Sequence, residues 1–213
     1  VRDRELDGRK ETFQELVQKG LGGFLVRNME SYGILDTMGL TSRIVLDANI
    51  YTMNNRAEAF WMKKGILGDT VPLELNAKEL VHRNNKNSEL TVYGYTPMMV
   101  SVQCVQKTMD HCNHACVQYV LKDRYQKEFR GVCSCEFCYN TIYNTLPTSL
   151  LKEKEKAEKL GVKAYRLSFT IETQQETEKI VRAFVDVYLR GQKPDGQMQT
   201  EETTKGHFQR GVE

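Results

Sequence analysis

All six cysteines of this 213-residue chain fall between Cys104 and Cys138. In order they are Cys104, Cys112, Cys116, Cys133, Cys135 and Cys138, separated by seven, three, sixteen, one and two residues. Random placement would scatter six thiols along the whole chain. Their confinement implies a shared partner, either a metal or one another, and the segment must fold so that they meet. Disulfides are disfavoured, because no secretory leader is read and the chain is far larger than a stapled mini-domain. It also has ordinary hydrophobic content, 40%, for a self-supporting core. Zinc accepts four thiolates, and Cys135 with Cys138 has the two-residue gap of a zinc knuckle. The three-residue gap from Cys112 to Cys116 and the solitary Cys104 break that pattern. Iron–sulfur clusters tolerate uneven spacing, since their ligands bind different irons. Spacing alone leaves cluster and zinc both open.

Little else in the composition points to a partner. The net charge of +2 gives no strong basic field for nucleic acid or an anionic membrane, although a local patch needs no global excess. No apolar run approaches the roughly eighteen residues of a membrane span, so no membrane is expected as a partner. Free thiols place the protein in a reducing cytoplasm. The opening run from Val1 to Lys10 is a charged strip without apolar period, and the chain is expected to be part of something longer.

Short apolar runs alternate with helical patterns. Phe13, Leu16 and Val17 recur at helical spacing and stop at Gly20, after which Phe24-Leu25-Val26 ends in Arg27. Ile44-Val45-Leu46 ends in Asp47 and Asn49 and precedes a helix from Asn54 to Lys64. Val71 to Leu75, with Glu74 and Asn76 at its end, precedes another helix to about His82. Strand, helix, strand, helix predicts an α/β fold with a parallel sheet. In a parallel barrel, polar groups at the carboxyl ends of strands crowd the mouth where ligands bind. Arg27, Asp47, Asn49, Glu74 and Asn76 are therefore candidate mouth residues, although Asn49 also suits a helix cap.

A fourth strand is read from Glu89, with a bend at Gly94 beside Tyr93, and it runs straight into Cys104. Tyr119 to Arg124 reads as an edge strand, with Lys122, Arg124, Lys127 and Arg130 near the thiols. Cations there would lower thiol pKa values and offset cluster charge, which marks Arg124 as a candidate. Leu150 to Leu160 reads as a charged helix, Ala164 to Thr170 as a last strand, and Glu172 to Leu189 as a helix with Ile180, Ala183, Phe184 and Val187 as its stripe. Gly191 to Thr204 reads as a linker, and the tail to Val212 as a segment that docks.

Several of these segments together resemble a known family. The run Glu89 to Gly94, Pro97-Met-Met, Cys104, Cys112-Asn-His-Ala-Cys116, Leu121-Lys-Asp-Arg124, Phe137-Cys138 and Ile142-Tyr-Asn144 is similar to the signature region of the collagenase-like peptidases, peptidase family U thirty-two. Asp47-Ala-Asn49, Glu74-Leu-Asn76, Tyr165 to Thr170, and the tail with His207 and Arg210 also look like that family, so nearly the whole chain is covered. The resemblance implies the carboxyl-terminal portion of a (β/α) TIM-like barrel, with an inserted cysteine-rich metal-binding segment and a C-terminal extension. On that reading residues 1–103 are partial barrel, 104–144 the cysteine segment, 145–190 the last barrel strand and helices, and 191–213 linker and docking tail. It also implies a [4Fe–4S] cluster, with Cys104, Cys112, Cys116 and Cys138 at the family's positions and Cys133 and Cys135 as alternates. The implied function is hydroxylation of tRNA or rRNA bases, with RNA as a partner. Collagenase-like proteolysis and a structural zinc module are the alternatives. Many relatives have Phe-His-Gly where this chain has Val92-Tyr93-Gly94, which removes a proton-transfer group from that position.

A protease would need a nucleophile with a base, or a metal-bound water. No His-Glu-x-x-His or Gly-x-Ser-x-Gly run occurs, and six cysteines in one block favour ligation over attack, even with His111 and His114 among them. Five strands, near Phe24, Ile44, Val71, Leu90 and Leu167, are fewer than the roughly eight of a closed barrel. The rest is expected from an upstream half of the same polypeptide or from a second copy.

Overall fold

The computed structural model of the protein describes residues 8–109, 112–194 and 202–211. The described chain forms two compact units. One comprises the residues up to Thr91, Glu155–Tyr165 and those from His207 onward. The other comprises Val92–Lys154 and Arg166–Gly206.

The first unit begins with helix α1 (Arg9–Gln18) and strand β1 (Phe24–Val26), as the periodicity predicts. Next comes a helix that periodicity did not reveal, α2 (Met29–Thr37), in which Gly33 and several weak helix formers blur the pattern. What starts it is a cap: the Asn28 side chain accepts from the Ser31 N–H at 2.8 Å. Strand β2 (Ile44–Leu46) and helix α3 (Asn55–Lys63) follow, the latter capped by Asn54. Val26, Tyr32, Leu35, Ile44, Leu46, Trp61 and Ile66 form the buried cluster that holds these elements together. Each of its larger aliphatic side chains contributes about 1.5–3 kcal/mol by leaving water.

Strand β3 is Gly68–Thr70, ahead of the apolar run from Val71 to Leu75 that sequence reading assigned to it. Pro72 cannot donate to a ladder, so the apolar run turns instead. The polar triplet succeeds as a strand because its charge is matched. Arg83 pairs with Asp69 and donates to the Thr52 carbonyl at 2.8 Å, to Asn85 Oδ1 at 2.9 Å and to Ser88 Oγ at 2.9 Å. Helix α4 (Ala77–Leu80) carries a capping box between Asn76 and Glu79.

Strands β1, β2, β3 and β4 (Ser88–Gly94) pair in parallel and in chain order. The fifth position of the path is taken by β10 (Ala164–Ser168). The result is a mixed α/β fold with a curled parallel sheet, compatible with part of a barrel. Five strands lie along this path and a short sixth joins β4; five were expected from the sequence, the third of them at Val71 and not at Gly68–Thr70.

In the second unit the chain leaves β4 at Gly94 and enters a separate antiparallel sheet. Its strands are β5 (Pro97–Ser101), β6 (Val117–Lys122), β7 (Glu128–Ser134) and β8 (Tyr139–Tyr143), in the spatial order β5-β8-β7-β6. The expected edge strand is β6. The short strand β9 (Thr148–Ser149) returns to pair antiparallel with β4. In place of one helix from Leu150 there is a 3-10 turn at Leu151–Glu153 and then helix α6 (Lys154–Lys159). Helix α7 (Gln174–Phe184) starts at a capping box of Thr173 and Glu176 and ends in a π turn over Val185–Leu189.

Thr148 forms a parallel bridge with Thr204, and Lys205 pairs with Glu153. In the first unit Phe208 is buried, and Gly211, at φ 79°, lies so close to the Asn76 side chain that an added methyl would sit 2.8 Å from Nδ2. Half of the expected linker, residues 195–201, and Val212 lie outside the described residues. Among the described residues no helix is long and apolar enough to cross a membrane.

Candidate metal centre

Three of the six thiols, those of Cys104, Cys133 and Cys135, meet beside the antiparallel sheet. Ladder pairing aligns Met99, Ile142, Gly131 and Tyr119 in one row, and Ser101, Asn140, Cys133 and Val117 in the next. Directly opposed residues share a face, so Cys133 lies among Asn140, Val117 and the diagonal Tyr119. Gly131 is required there: a methyl at this position would overlap the Tyr119 ring. The chain leaves β5 and enters the short helix α5 (Val105–Thr108), with Cys104 as the residue before its first turn. Cys104 and Cys133 are both buried, with sulfurs 3.7 Å apart. Cys133 and Cys135 sulfurs are 3.6 Å apart, which makes Cys133 the middle of a three-sulfur chain. Cys135 also donates to the Ala115 carbonyl at 2.9 Å, and the Gln106 amide donates to the same oxygen at 3.3 Å. That ties the exposed Cys112–Cys116 loop to the buried thiols one residue from Cys116. Cys138 is exposed and follows Phe137 in a tight turn, at φ 52°.

The sulfurs are not equivalent. Backbone N–H groups at Lys107 and Gln106 donate to Cys104 and, with the Lys107 charge, hold its pKa below the ordinary thiol value. Burial, then hydrogen bonds to Cys135 and Cys104, push Cys133 up to about 12. Either sulfur can donate in their contact. All six cysteines are free thiols. Among the described residues no group of three or more His, Cys, Asp or Glu side chains is placed to hold a metal ion. The donors are nevertheless of the right kind for either implied group. Zinc–sulfur bonds of about 2.3 Å place tetrahedral ligands roughly 3.8 Å apart, close to the Cys104–Cys133 and Cys133–Cys135 contacts. Ligands on different irons of a cluster sit further apart, and Cys112, Cys116 and Cys138 are exposed.

The other candidates are more dispersed. Arg27 and Asp47 form an ion pair at 2.9 Å beyond the ends of β1 and β2. Asn49 is exposed in the following 3-10 turn. Glu74 is half-buried, with one carboxylate oxygen enclosed and unpartnered, and Asn76 is committed to its helix cap. Tyr93 is 3% exposed and packs against Phe169 and Phe184, as a core residue does. Arg124 stacks over the Tyr125 ring at the tip of the β6–β7 hairpin, 4.7 Å from its centroid. His207 Nδ1 lies 2.9 Å from the Gly211 carbonyl, and Arg210 is exposed. His111 lies outside the described residues, and His114 is exposed in a left-handed turn.

Sequence reading passed over Tyr119 and Asn140, which border the thiols, and the Asp69–Arg83 pair. The alternation Gly131, Cys133 along β7 was the available signal for the first two, because it puts both residues on one face. No family model, curated protein or solved structure matches the chain.

Proposed function

We propose that this chain is the cluster-bearing portion of an iron–sulfur protein that acts in hydroxylation of tRNA or rRNA bases. The observation that carries the reading is the convergence of Cys104, Cys133 and Cys135 beside the antiparallel sheet, with the Cys112–Cys116 loop tied to it through Ala115. The resemblance assigns the ligands as Cys104, Cys112, Cys116 and Cys138. Bound there, a [4Fe–4S] cluster supplies one-electron transfer. The chain's own contribution is to keep part of the thiol group away from water, with Cys104 favoured as thiolate by the backbone donors that follow it.

The four parallel strands β1–β4, with β10 beside β4, support a finer reading of the fold, as the later part of a TIM-like barrel. The antiparallel sheet between β4 and β9 would then be its cysteine-rich insertion, and the segment from Thr204 its docking extension. The barrel would be completed by preceding sequence or a second copy, in the cytoplasm, with RNA as substrate. Arg124 and Tyr125, a cation and an exposed ring at a hairpin tip, suit contact with a nucleic-acid strand. Comparing RNA base modifications between cells with and without the full-length protein tests this function. A hydroxylated base that disappears supports it, and an unchanged modification profile refutes it.

One observation favours a second reading, a structural zinc module on Cys104, Cys133 and Cys135. Their sulfur contacts of 3.7 and 3.6 Å match the edge of a single-metal tetrahedron. Zinc in stoichiometric amount without acid-labile sulfide would establish it.

A further inference from the structure

Two of the six thiols have no task in the cluster reading, which takes Cys104, Cys112, Cys116 and Cys138 as ligands. They are Cys133 and Cys135, and the structure sets their sulfurs 3.6 Å apart. A disulfide bond is about 2.05 Å long, so closing it asks for a movement of only about 1.6 Å. Cys133 is held in the β7 ladder, opposite Val117 and Asn140, while Cys135 lies in the turn that follows Ser134. The turn is the side that can give.

The two thiols differ in access. Cys133 is fully enclosed and Cys135 is half-buried, so an oxidant arrives at Cys135. Cys104, on the other side of Cys133 at 3.7 Å, is itself buried and is a ligand in the cluster reading. A link between Cys133 and Cys135 spans a single residue, Ser134, and half of it stays within reach of solvent. Strained or exposed disulfides are the easily reduced ones, which suits a reversible couple better than a permanent staple.

We propose that Cys133 and Cys135 form a redox-active dithiol that exchanges with small disulfides of the glutathione type. The inference rests on the cluster reading, which leaves both thiols free of metal. The Cys135 thiolate attacks one sulfur of glutathione disulfide, forms a mixed disulfide and expels one glutathione thiolate. Cys133 then attacks the Cys135 sulfur and expels the second. The pair gives up two electrons and two protons, and one glutathione disulfide becomes two glutathione thiols. Burial holds the proton on Cys133, so the second step is the slow one. Reduced Cys135 donates to the Ala115 carbonyl at 2.9 Å, a bond that a disulfide sulfur cannot make. On oxidation the loop carrying Cys112 and Cys116 loses that tie, so the state of the pair is felt beside two of the cluster's ligands.

The test equilibrates the full chain, purified without oxygen, overnight at a series of ratios of glutathione to glutathione disulfide. Thiols are then alkylated and links mapped by peptide mass spectrometry, with metal and acid-labile sulfide measured on the same samples. Two thiols should be lost in one transition as a Cys133–Cys135 link, with iron retained and full reversal by excess glutathione. Cys133→Ser should stop at the mixed disulfide on Cys135. The absence of this link across the series, or a link made by another pair instead, would overturn the proposal. Zinc released in step with the link would overturn it too, since the pair would then be metal ligands. Iron present with both thiols reduced throughout refutes the dithiol alone, whereas the link formed in protein without iron refutes the cluster and supports the dithiol.

Discussion

Cys133 is the residue at which the two metal readings part. It is fully enclosed and stands between two other sulfurs, yet the resemblance leaves it outside the ligand set. Cys104→Ser removes bound metal under either reading, with a loss of stability, because ligand binding energy is also folding energy. A cluster on Cys104, Cys112, Cys116 and Cys138 is lost with Cys138→Ser and survives Cys133→Ser, and this is the result expected. A single zinc ion on the sulfur chain gives the reverse, and metal content of the two purified variants decides. Elsewhere the Asp69–Arg83 pair is the costliest to break. Arg83 lies inside a network in which Thr52, Asn85 and Ser88 meet its donors, so Arg83→Ala strands a buried carboxylate. A loss of about 3–5 kcal/mol is expected in denaturant unfolding. No local pattern announced this pair. Asp69 sits in a polar triplet and Arg83 in a loop, and only folding brings residues fourteen apart in sequence together.

Elements were legible where they bury one periodic face. Helix α3 and the strands β1, β2 and β4 follow their apolar spacing, while α2 rests on its Asn28 cap and β3 on buried charge. The antiparallel sheet was read only in part, since its edge strand shows in the sequence but β7 and β8 are split by cysteines and turns. Helix α7 offers a test at this scale. The Thr173 backbone N–H, then its side chain, hold the Glu176 pKa below the ordinary 4.5. A carboxylate depressed on folding adds stability above its unfolded pKa, and that addition is lost as pH falls through the lower folded value. Glu176→Gln keeps an oxygen for the capping box but cannot titrate. Its stability should therefore fall less on acidification, starting below about pH 5, than that of the parent protein, as followed by circular dichroism.

At the scale of the molecule, the alternation of strands and helices behind the parallel sheet follows from the sequence, whereas the sulfur arrangement does not. Spacing shows that six thiols share one segment, but which of them are buried depends on ladder register and on the path of α5. The parallel sheet has β1 at one end of its order and β10 at the other, each with one neighbour among the described strands. Unpaired strand edges invite pairing with another chain. The isolated 213 residues should accordingly self-associate in light scattering, in a concentration-dependent way. A monomer with protected β1 and β10 amides would contradict that expectation. The central claim, that the thiols hold an iron–sulfur cluster, is tested most directly by elemental and sulfide analysis of protein purified without oxygen. Brown protein with iron and acid-labile sulfide in comparable amounts is expected. Colourless protein with stoichiometric zinc and no sulfide would contradict it.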